Sequence, residues 1–204
     1  TELSPSELLH AILLAPVDLL YNGGIGTYVK SSQETHAQVG DKASDAFRVD
    51  GAELRCKVFA EGGNLGATQR GRIEFAQKGG LVYTDAIDNS AGVDCSDHEV
   101  NIKILLGQIV EAGDLTLKQR NELLASMTDE VGALVLSDNY YQTQALEIAN
   151  HRPMYLLDGQ QRLMQWLEGA GRLNRAIEFL PTDQEIAQRR ARKQGLTAPE
   201  GAVL

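Results

Sequence analysis

Short apolar runs alternate with glycine-rich polar segments in the first half of the chain. Three such runs, at residues 17–21, 57–60 and 81–86, are each followed by a loop that contains glycine or asparagine. Apolar positions with helical spacing follow the second and third loops, and the last of these helices is predicted to extend through Val110. Short strands that alternate with helices are typical of parallel sheets with right-handed crossovers. We therefore predict an α/β fold with about three strands for residues 1–112.

The pattern changes after Gly113. Glycines are sparse from there to Gly159, and apolar residues recur with helical spacing. Five such positions are Leu117, Leu124, Met127, Val131 and Leu134. Further along, Thr182 and Glu185 form a capping box, which is the signature of a helix N-terminus. Residues 113–204 are therefore predicted to be an α-helical C-terminal region.

Glycine and asparagine follow each predicted strand. Ligands of open parallel sheets bind beyond the carboxyl ends of the strands, where these loops would lie side by side. A single loop of this kind is explained as a tight turn, but three at one edge indicate a common ligand approached by bare backbone. Asparagine offers both a donor and an acceptor, which suits a carboxamide or a ribose hydroxyl. The three loops are Asn22-Gly23-Gly24, Glu61-Gly62-Gly63-Asn64 and Asn89-Ser90-Ala91-Gly92.

The second loop lacks the G-x-G-x-x-G spacing of a pyrophosphate site, and no such motif follows a strand elsewhere in the chain. An acidic residue followed by glycines, as at Glu61, is also typical of folds that bind S-adenosylmethionine. That interpretation expects the acidic loop after the first strand of the domain, whereas here it follows the second. An enzyme cofactor site, a stand-alone nucleotide-binding or interaction module and a methyltransferase-like fold are therefore the alternatives that the loops leave open.

The segment DNSAGVDCSDHEVNIK concentrates side chains that can ligate metals. Their spacing fits no common ligand set on one helix face, and acidic residues in the first turns of a helix favour the positive end of its dipole. We therefore predict no metal site. Ser96 differs, because a hydroxyl near a helix start could hold a substrate carboxylate with help from backbone N–H groups. The potential metal ligands are Asp88, Asp94, Cys95, Asp97, His98 and Glu99.

Composition excludes several classes of function. The net charge of −9 and the pI near 4.9 argue against nucleic-acid binding, which needs a basic surface. No apolar run approaches the length of about 20 residues that spanning a bilayer requires, so no membrane partner is predicted. Cys56 and Cys95 form no spacing pattern and indicate a reducing compartment, for which the cytoplasm is the simplest choice. The chain begins at Thr1 without an initiator methionine, which either a processed protein or a piece cut from a larger protein would explain.

Three strings around these loops resemble the large bacterial NAD-specific glutamate dehydrogenases. They are DLLYNGGIGTYVK, LRCKVFAEGGNLGATQRGRIEFA and TDAIDNSAGVDCSDHEVNIKILL, and they are similar to the C-terminal part of that family's catalytic region. The shorter hexameric glutamate dehydrogenases share a weaker version of the same pattern. The resemblance is strong over residues 1–112 and looser over the helical remainder.

The resemblance implies a fold and a set of site residues. The fold would be the C-terminal half of a Rossmann-like parallel sheet, and it would face the nicotinamide side of NAD. Because the pyrophosphate loop would then lie in the upstream half, the glycines of this chain need not spell a phosphate motif. Asn64 and Asn89 would lie near the nicotinamide ribose and carboxamide, and Ser96 would contact the side-chain carboxylate of glutamate. The implied cofactor-binding residues are Asn22, Gly23, Gly24, Glu61, Gly62, Gly63, Asn64 and Asn89.

The resemblance also implies what this chain does not supply. The family's catalytic lysine and aspartate belong to an upstream substrate domain, so no catalytic residue is predicted here and the isolated chain is expected to be inactive. The complete enzyme would convert L-glutamate to 2-oxoglutarate and ammonia with hydride transfer to NAD, and it would be a homo-oligomer. The preference for NAD over NADP rests on the resemblance alone.

Overall fold

The computed structural model of the chain describes residues 2–204 and has a mixed α/β fold. Four short strands form two parallel pairs: β1 (Leu19–Asn22) pairs with β4 (Val58–Glu61), and β2 (Val29–Lys30) pairs with β3 (Val49–Asp50). The helices of the described residues are α1 (Pro5–Leu13), α2 (His36–Val39), α3 (Gln69–Gln77), α4 (Asp85–Asp88), α5 (Ser90–Glu111), α6 (Leu117–Ser126), α7 (Thr128–His151), α8 (Pro153–Gly169), α9 (Arg175–Glu178), α10 (Asp183–Ala191) and α11 (Ala198–Val203), with 3-10 turns at Lys42–Ser44 and Gly51–Glu53.

The register of β1 and β4 sets the geometry of the sheet edge. Asn22 lies directly beside Glu61, so both strands end at the same edge and their following loops start next to each other. The first two predicted strands, at residues 17–21 and 57–60, are therefore found within one or two residues of their expected positions, and their parallel pairing is confirmed.

The third predicted strand is much shorter than expected. Of residues 81–86, all of which the structure describes, only Leu81 pairs with the sheet, as a parallel bridge to Val58. The Thr84 carbonyl then accepts a hydrogen bond from the N–H of Asp88 (3.0 Å), which turns the chain into α4. The parallel α/β arrangement is thus confirmed, whereas the Rossmann-like half sheet stays a prediction.

Helix α3 packs closely against β2 because Gly71, in its capped first turn, has no side chain. The Thr68 hydroxyl accepts a hydrogen bond from the N–H of Gly71 (2.9 Å), and a Cβ at Gly71 would lie 2.9 Å from the Lys30 carbonyl carbon. The helix buries both Ile73 and Phe75, and Phe75 contributes to the core. The core of this region consists of Leu13, Val29, Val49, Leu54, Cys56, Phe59, Ala67, Phe75 and Val82.

The chain divides into two compact units. The first comprises the residues up to Asp88 together with Ala145–Leu204, and the second comprises Asn89–Gln144. In the first unit the later segment returns to the earlier one, where Gln69 Nε2 donates a hydrogen bond to the Pro199 carbonyl (2.9 Å). The later segment also has a core of its own, formed by Leu157, Met164, Leu180, Ile186 and Leu196. The predicted division between residues 112 and 113 stays a prediction.

The second unit is helical. Ser90 Oγ donates a hydrogen bond to Asn139 Oδ1 (3.0 Å) and so joins α5 to α7, while Leu106 and Val135 are buried. Among the described helices of the whole chain, none combines the length and the apolar character needed to cross a membrane.

Candidate functional site

Two of the three predicted loops lie against each other at the sheet edge. The Asn22 carbonyl, at the end of β1, accepts hydrogen bonds from the N–H groups of Gly62 (2.8 Å) and Gly63 (3.3 Å), which follow β4. Because the strands are parallel and in register, the two loops leave the sheet on the same side. This juxtaposition was expected from the order of strands and loops in the sequence.

Glycine is required in the second loop by close backbone approach. A Cβ at Gly63 would lie 2.6 Å from the Gly24 carbonyl oxygen, and one at Gly66 would lie 1.8 Å from the Asn22 side-chain nitrogen. A side chain at Gly63 would collide with backbone, so the loops could not meet as they do, whereas one at Gly66 would displace the Asn22 side chain. Gly24, by contrast, has no other group within 4 Å of its Cβ position, so packing within the protein does not require glycine there.

The Asn22 side chain has an unused donor in this loop pair. Its Oδ1 accepts a hydrogen bond from the Gly24 N–H (3.4 Å), and its Nδ2 is buried with no acceptor among the residues that the structure describes. This nitrogen lies against Gly66, whereas the open position at the edge is Gly24, next to the Asn22 backbone. Backbone and carboxamide groups beside an open position suit the amide and hydroxyl groups of a nicotinamide ribose, so the residues present fit that half of a dinucleotide. Asn64 lies in the same loop at an exposed position.

Glu61 faces the interior of the protein. It is fully buried, and its carboxylate accepts hydrogen bonds from Arg72 Nε (2.6 Å), Arg72 Nη2 (2.8 Å) and the Ala67 N–H (2.9 Å). Its side chain thus holds the end of its own loop, and only its backbone is placed toward the sheet edge. A contact between Glu61 and a cofactor stays a prediction.

Two acidic residues to which the sequence analysis gave no role at this loop hold its backbone. Asp88 Oδ2 accepts a hydrogen bond from the Glu61 N–H (2.9 Å), and Asp85 Oδ2 accepts one from the Leu65 N–H (2.7 Å). Burial raises the pKa of Asp88 to about 6. The available signal was a pair of carboxylates three residues apart directly after an apolar run, which is suited to capping a neighbouring loop.

Asn89 and Ser96 belong to the second unit. Asn89 is the N-cap residue of α5, and its carbonyl accepts a hydrogen bond from the Gly92 N–H (3.2 Å). The helix begins at Ser90, two residues before the expected start near Gly92. Ser96 is therefore an exposed residue of the second turn, and the unpaired N–H groups of a helix belong to its first turn. Any carboxylate contact would use the Ser96 hydroxyl without those N–H groups.

Comparison with known proteins decides the family. Residues 1–149 match the family described as bacterial NAD-glutamate dehydrogenase, catalytic domain. This chain belongs to that family. The relationship predicted from the three sequence strings is thereby confirmed.

Curated relatives carry the same family name. The chain is 64% identical over 202 residues to the NAD-specific glutamate dehydrogenase of Pseudomonas aeruginosa, a match that covers 99% of the chain. It is 60% identical to that of Halomonas elongata and 51% identical to that of Mycobacterium tuberculosis, each over 203 residues and 100% of the chain. The chain spans only 12–13% of the length of these glutamate dehydrogenases.

The second unit also contains a cluster that spacing on one helix does not reveal. Asp94 and His98 lie one turn apart on α5, and Asp138 of α7 lies beside them. His98 Nε2 is 3.6 Å from Asp94 Oδ1 and 3.5 Å from Asp138 Oδ2. Partial desolvation, followed by the charge of Asp138, raises the pKa of the Asp94 carboxyl. The histidine therefore links two helices of the second unit, and the absence of a metal site stays a prediction.

Proposed function

We propose that this chain forms the nicotinamide side of the cofactor cleft in an NAD-specific glutamate dehydrogenase. The complete enzyme would oxidise L-glutamate to 2-oxoglutarate and ammonia. The observation that carries the proposal is the contact between the Asn22–Gly24 and Glu61–Gly66 loops at the carboxyl edge of the β1–β4 pair. Such an edge is where parallel sheets bind their ligands, and here it is built of backbone, glycine and carboxamide groups.

The proposal assigns a role to each predicted residue. The backbone at Gly23, Gly24, Gly62 and Gly63 gives the cofactor close access, and Glu61 shapes the second of these loops. Asn22, Asn64 and Asn89 would hydrogen-bond the ribose and carboxamide. Ser96 would hold the side-chain carboxylate of glutamate. Bound NAD would supply the hydride acceptor, and this chain would orient it without contributing a proton-transfer residue.

Gly24 provides the sharpest test, because no other protein group lies near its Cβ position. In the complete enzyme, Gly24→Ala should leave the melting temperature unchanged. A cofactor seated against this loop would meet the new methyl group, so KM for NAD should rise about tenfold or more, equivalent to about 1.4 kcal/mol. Gly132→Ala is the matched control, since Gly132 lies in α7 with the same open surroundings.

The outcomes are separable. A raised KM for NAD in Gly24→Ala alone supports the proposed cleft. A wild-type KM for NAD in a folded Gly24→Ala enzyme would remove the Asn22–Gly24 loop from the cofactor site.

A further inference from the structure

Arg72 is a buried cation next to the candidate cofactor loop. It lies in α3, and its side chain is only 5% exposed. Its guanidinium binds both carboxylate oxygens of Glu61, at 2.6 and 2.8 Å, and its Nη2 lies 3.1 Å from Asp85 Oδ1. A planar guanidinium that engages two carboxylates at once fixes their orientation as well as their distance.

The two carboxylates in turn hold the loop backbone. Glu61 accepts the N–H of Ala67 (2.9 Å), and Asp85 accepts the N–H of Leu65 (2.7 Å). Arg72 is thus connected to the loop backbone at Ala67 through Glu61 and at Leu65 through Asp85.

The loop is held in a conformation that it would not adopt by itself. Leu65 has a φ of +59°, in the left-handed region that residues other than glycine rarely occupy. Its carbonyl accepts a hydrogen bond from Thr27 Oγ1 (2.7 Å), and the next carbonyl, of Gly66, accepts one from the Tyr28 N–H (2.8 Å). Strained backbone of this kind persists only where its surroundings enforce it, and it clusters at ligand-binding sites.

We propose that Arg72 is a positioning residue for cofactor binding, acting through Glu61 and Asp85 to set the shape of the Glu61–Ala67 loop. This inference rests on the proposed function, because it assigns the loop to the cofactor. Arg72 itself touches neither cofactor nor substrate. Its contribution is to prepare the loop before the cofactor arrives, so that binding does not have to order it.

A role in stability alone explains the arrangement less well. A buried ion pair contributes little net stability compared with well-packed apolar residues, because both charges must be desolvated. What the pair adds is a fixed geometry, and here that geometry is transmitted to two backbone N–H groups of one loop.

The experiment compares three variants in the complete enzyme. Arg72→Gln removes the cation, and Arg72→Lys keeps the charge but loses the two-pronged geometry. Arg70→Gln is the matched control, since Arg70 lies on the same helix but is exposed, with its guanidinium 4.7 Å from the Phe179 ring centroid. Hydrogen exchange of a peptide spanning residues 61–67 is measured without cofactor, and KM for NAD, KM for glutamate and kcat are measured separately.

For Arg72→Gln we expect exchange in the 61–67 peptide to be about tenfold faster or more, with KM for NAD raised by a similar factor. KM for glutamate and kcat at saturating NAD should stay within about twofold, because bound cofactor reorders the loop. Arg72→Lys should give an intermediate result, and it decides the question alone if Arg72→Gln does not fold. Arg70→Gln should match the wild type in every measurement.

Wild-type exchange and wild-type KM for NAD in either folded Arg72 variant would overturn the inference. A lower melting temperature with an unchanged KM for NAD would overturn it too, because it would show a purely structural role. If the wild-type enzyme fails to oxidise glutamate with NAD, the proposed function fails, whereas the exchange measurement still tests whether Arg72 sets the loop.

Discussion

At the scale of single residues, Leu65 is unusual because it combines a left-handed backbone with a side chain that is 63% exposed. A non-glycine residue in the left-handed region is strained by about 1–2 kcal/mol, and an exposed side chain gives little stabilisation by packing to offset that strain. The sequence Asn64-Leu65-Gly66 does not predict a left-handed conformation at Leu65, because its neighbours asparagine and glycine are the residues expected to adopt it.

This strain reverses the usual stability order of alanine and glycine. We expect the free energy of unfolding of Leu65→Gly to be about 1 kcal/mol higher than that of Leu65→Ala. Both substitutions remove the exposed side chain, but only glycine relieves the backbone strain. Chemical denaturation of the two variants measures the difference. If Leu65→Ala is the more stable variant, the left-handed conformation is not what the protein adopts in solution.

Ser96 supports a prediction about substrate binding. In the complete enzyme, Ser96→Ala should lower kcat/KM for glutamate about 10- to 150-fold, because a hydrogen bond to a charged group contributes about 1.5–3 kcal/mol. The dissociation constant for NAD should change little. Ser137→Ala, which removes another exposed helical hydroxyl, serves as the control. Unchanged glutamate kinetics in a folded Ser96→Ala enzyme would remove Ser96 from the substrate site.

At the scale of elements, α4 matters through the carboxylates that it carries to the loop after β4. Asp88 has a folded pKa of about 6 against an ordinary value of 3.8, chiefly because burial disfavours its charge. Between these two pH values the folded state binds more protons than the unfolded state, so stability falls as pH rises through this window. The stabilising effect of protonation is complete below about pH 4 and lost above about pH 6.

Asp88→Asn should remove this dependence on pH. Asparagine keeps an acceptor for the Glu61 N–H but carries no charge, so the variant should be more stable than the wild type at pH 7. The difference should shrink as the pH is lowered to 4.5. Denaturation at both pH values, with the exposed Asp114→Asn as control, measures it. A constant difference between variant and wild type at the two pH values would contradict the raised pKa.

The elements that could be predicted are those with a clear local signal. The apolar runs that end in Asn22-Gly23 and Glu61-Gly62 predicted β1, β4 and their shared edge, because glycine and asparagine mark the ends of such strands. Strands β2 and β3 have two residues each, which is too short for any periodic pattern. The third strand was overextended because the pattern of residues 81–86 does not show that the Thr84 carbonyl starts a helical turn.

The candidate site shows the same division. Its loops were predictable, since each is a contiguous run of glycine and asparagine. The Arg72–Glu61 pair and the Asp138–His98 contact were not, because their members are 11 and 40 residues apart and no local pattern links them. Only the folded arrangement of the elements shows which charges meet.

At the scale of the whole molecule, the chain is a small part of a long polypeptide, spanning 12–13% of its relatives. We expect the purified 204-residue chain to show no oxidation of glutamate with NAD above a mock-purified control. Its dissociation constant for NAD should be weaker than about 10 µM, or about −7 kcal/mol, because the resemblance places the pyrophosphate loop upstream. Calorimetry and a spectrophotometric assay test both statements, and turnover or tighter binding would contradict them.

The first unit is built from two stretches of chain that are separated by the whole of the second unit. The hydrogen bond from Gln69 to Pro199 closes a loop of 130 residues. During synthesis at about 5–20 residues per second, α3 leaves the ribosome on the order of ten seconds before its partner in α11 exists. The second unit can fold in that interval. The first unit cannot be completed, because the surface of α3 that contacts α11 is still exposed. We expect chaperones to bind the nascent chain during this period.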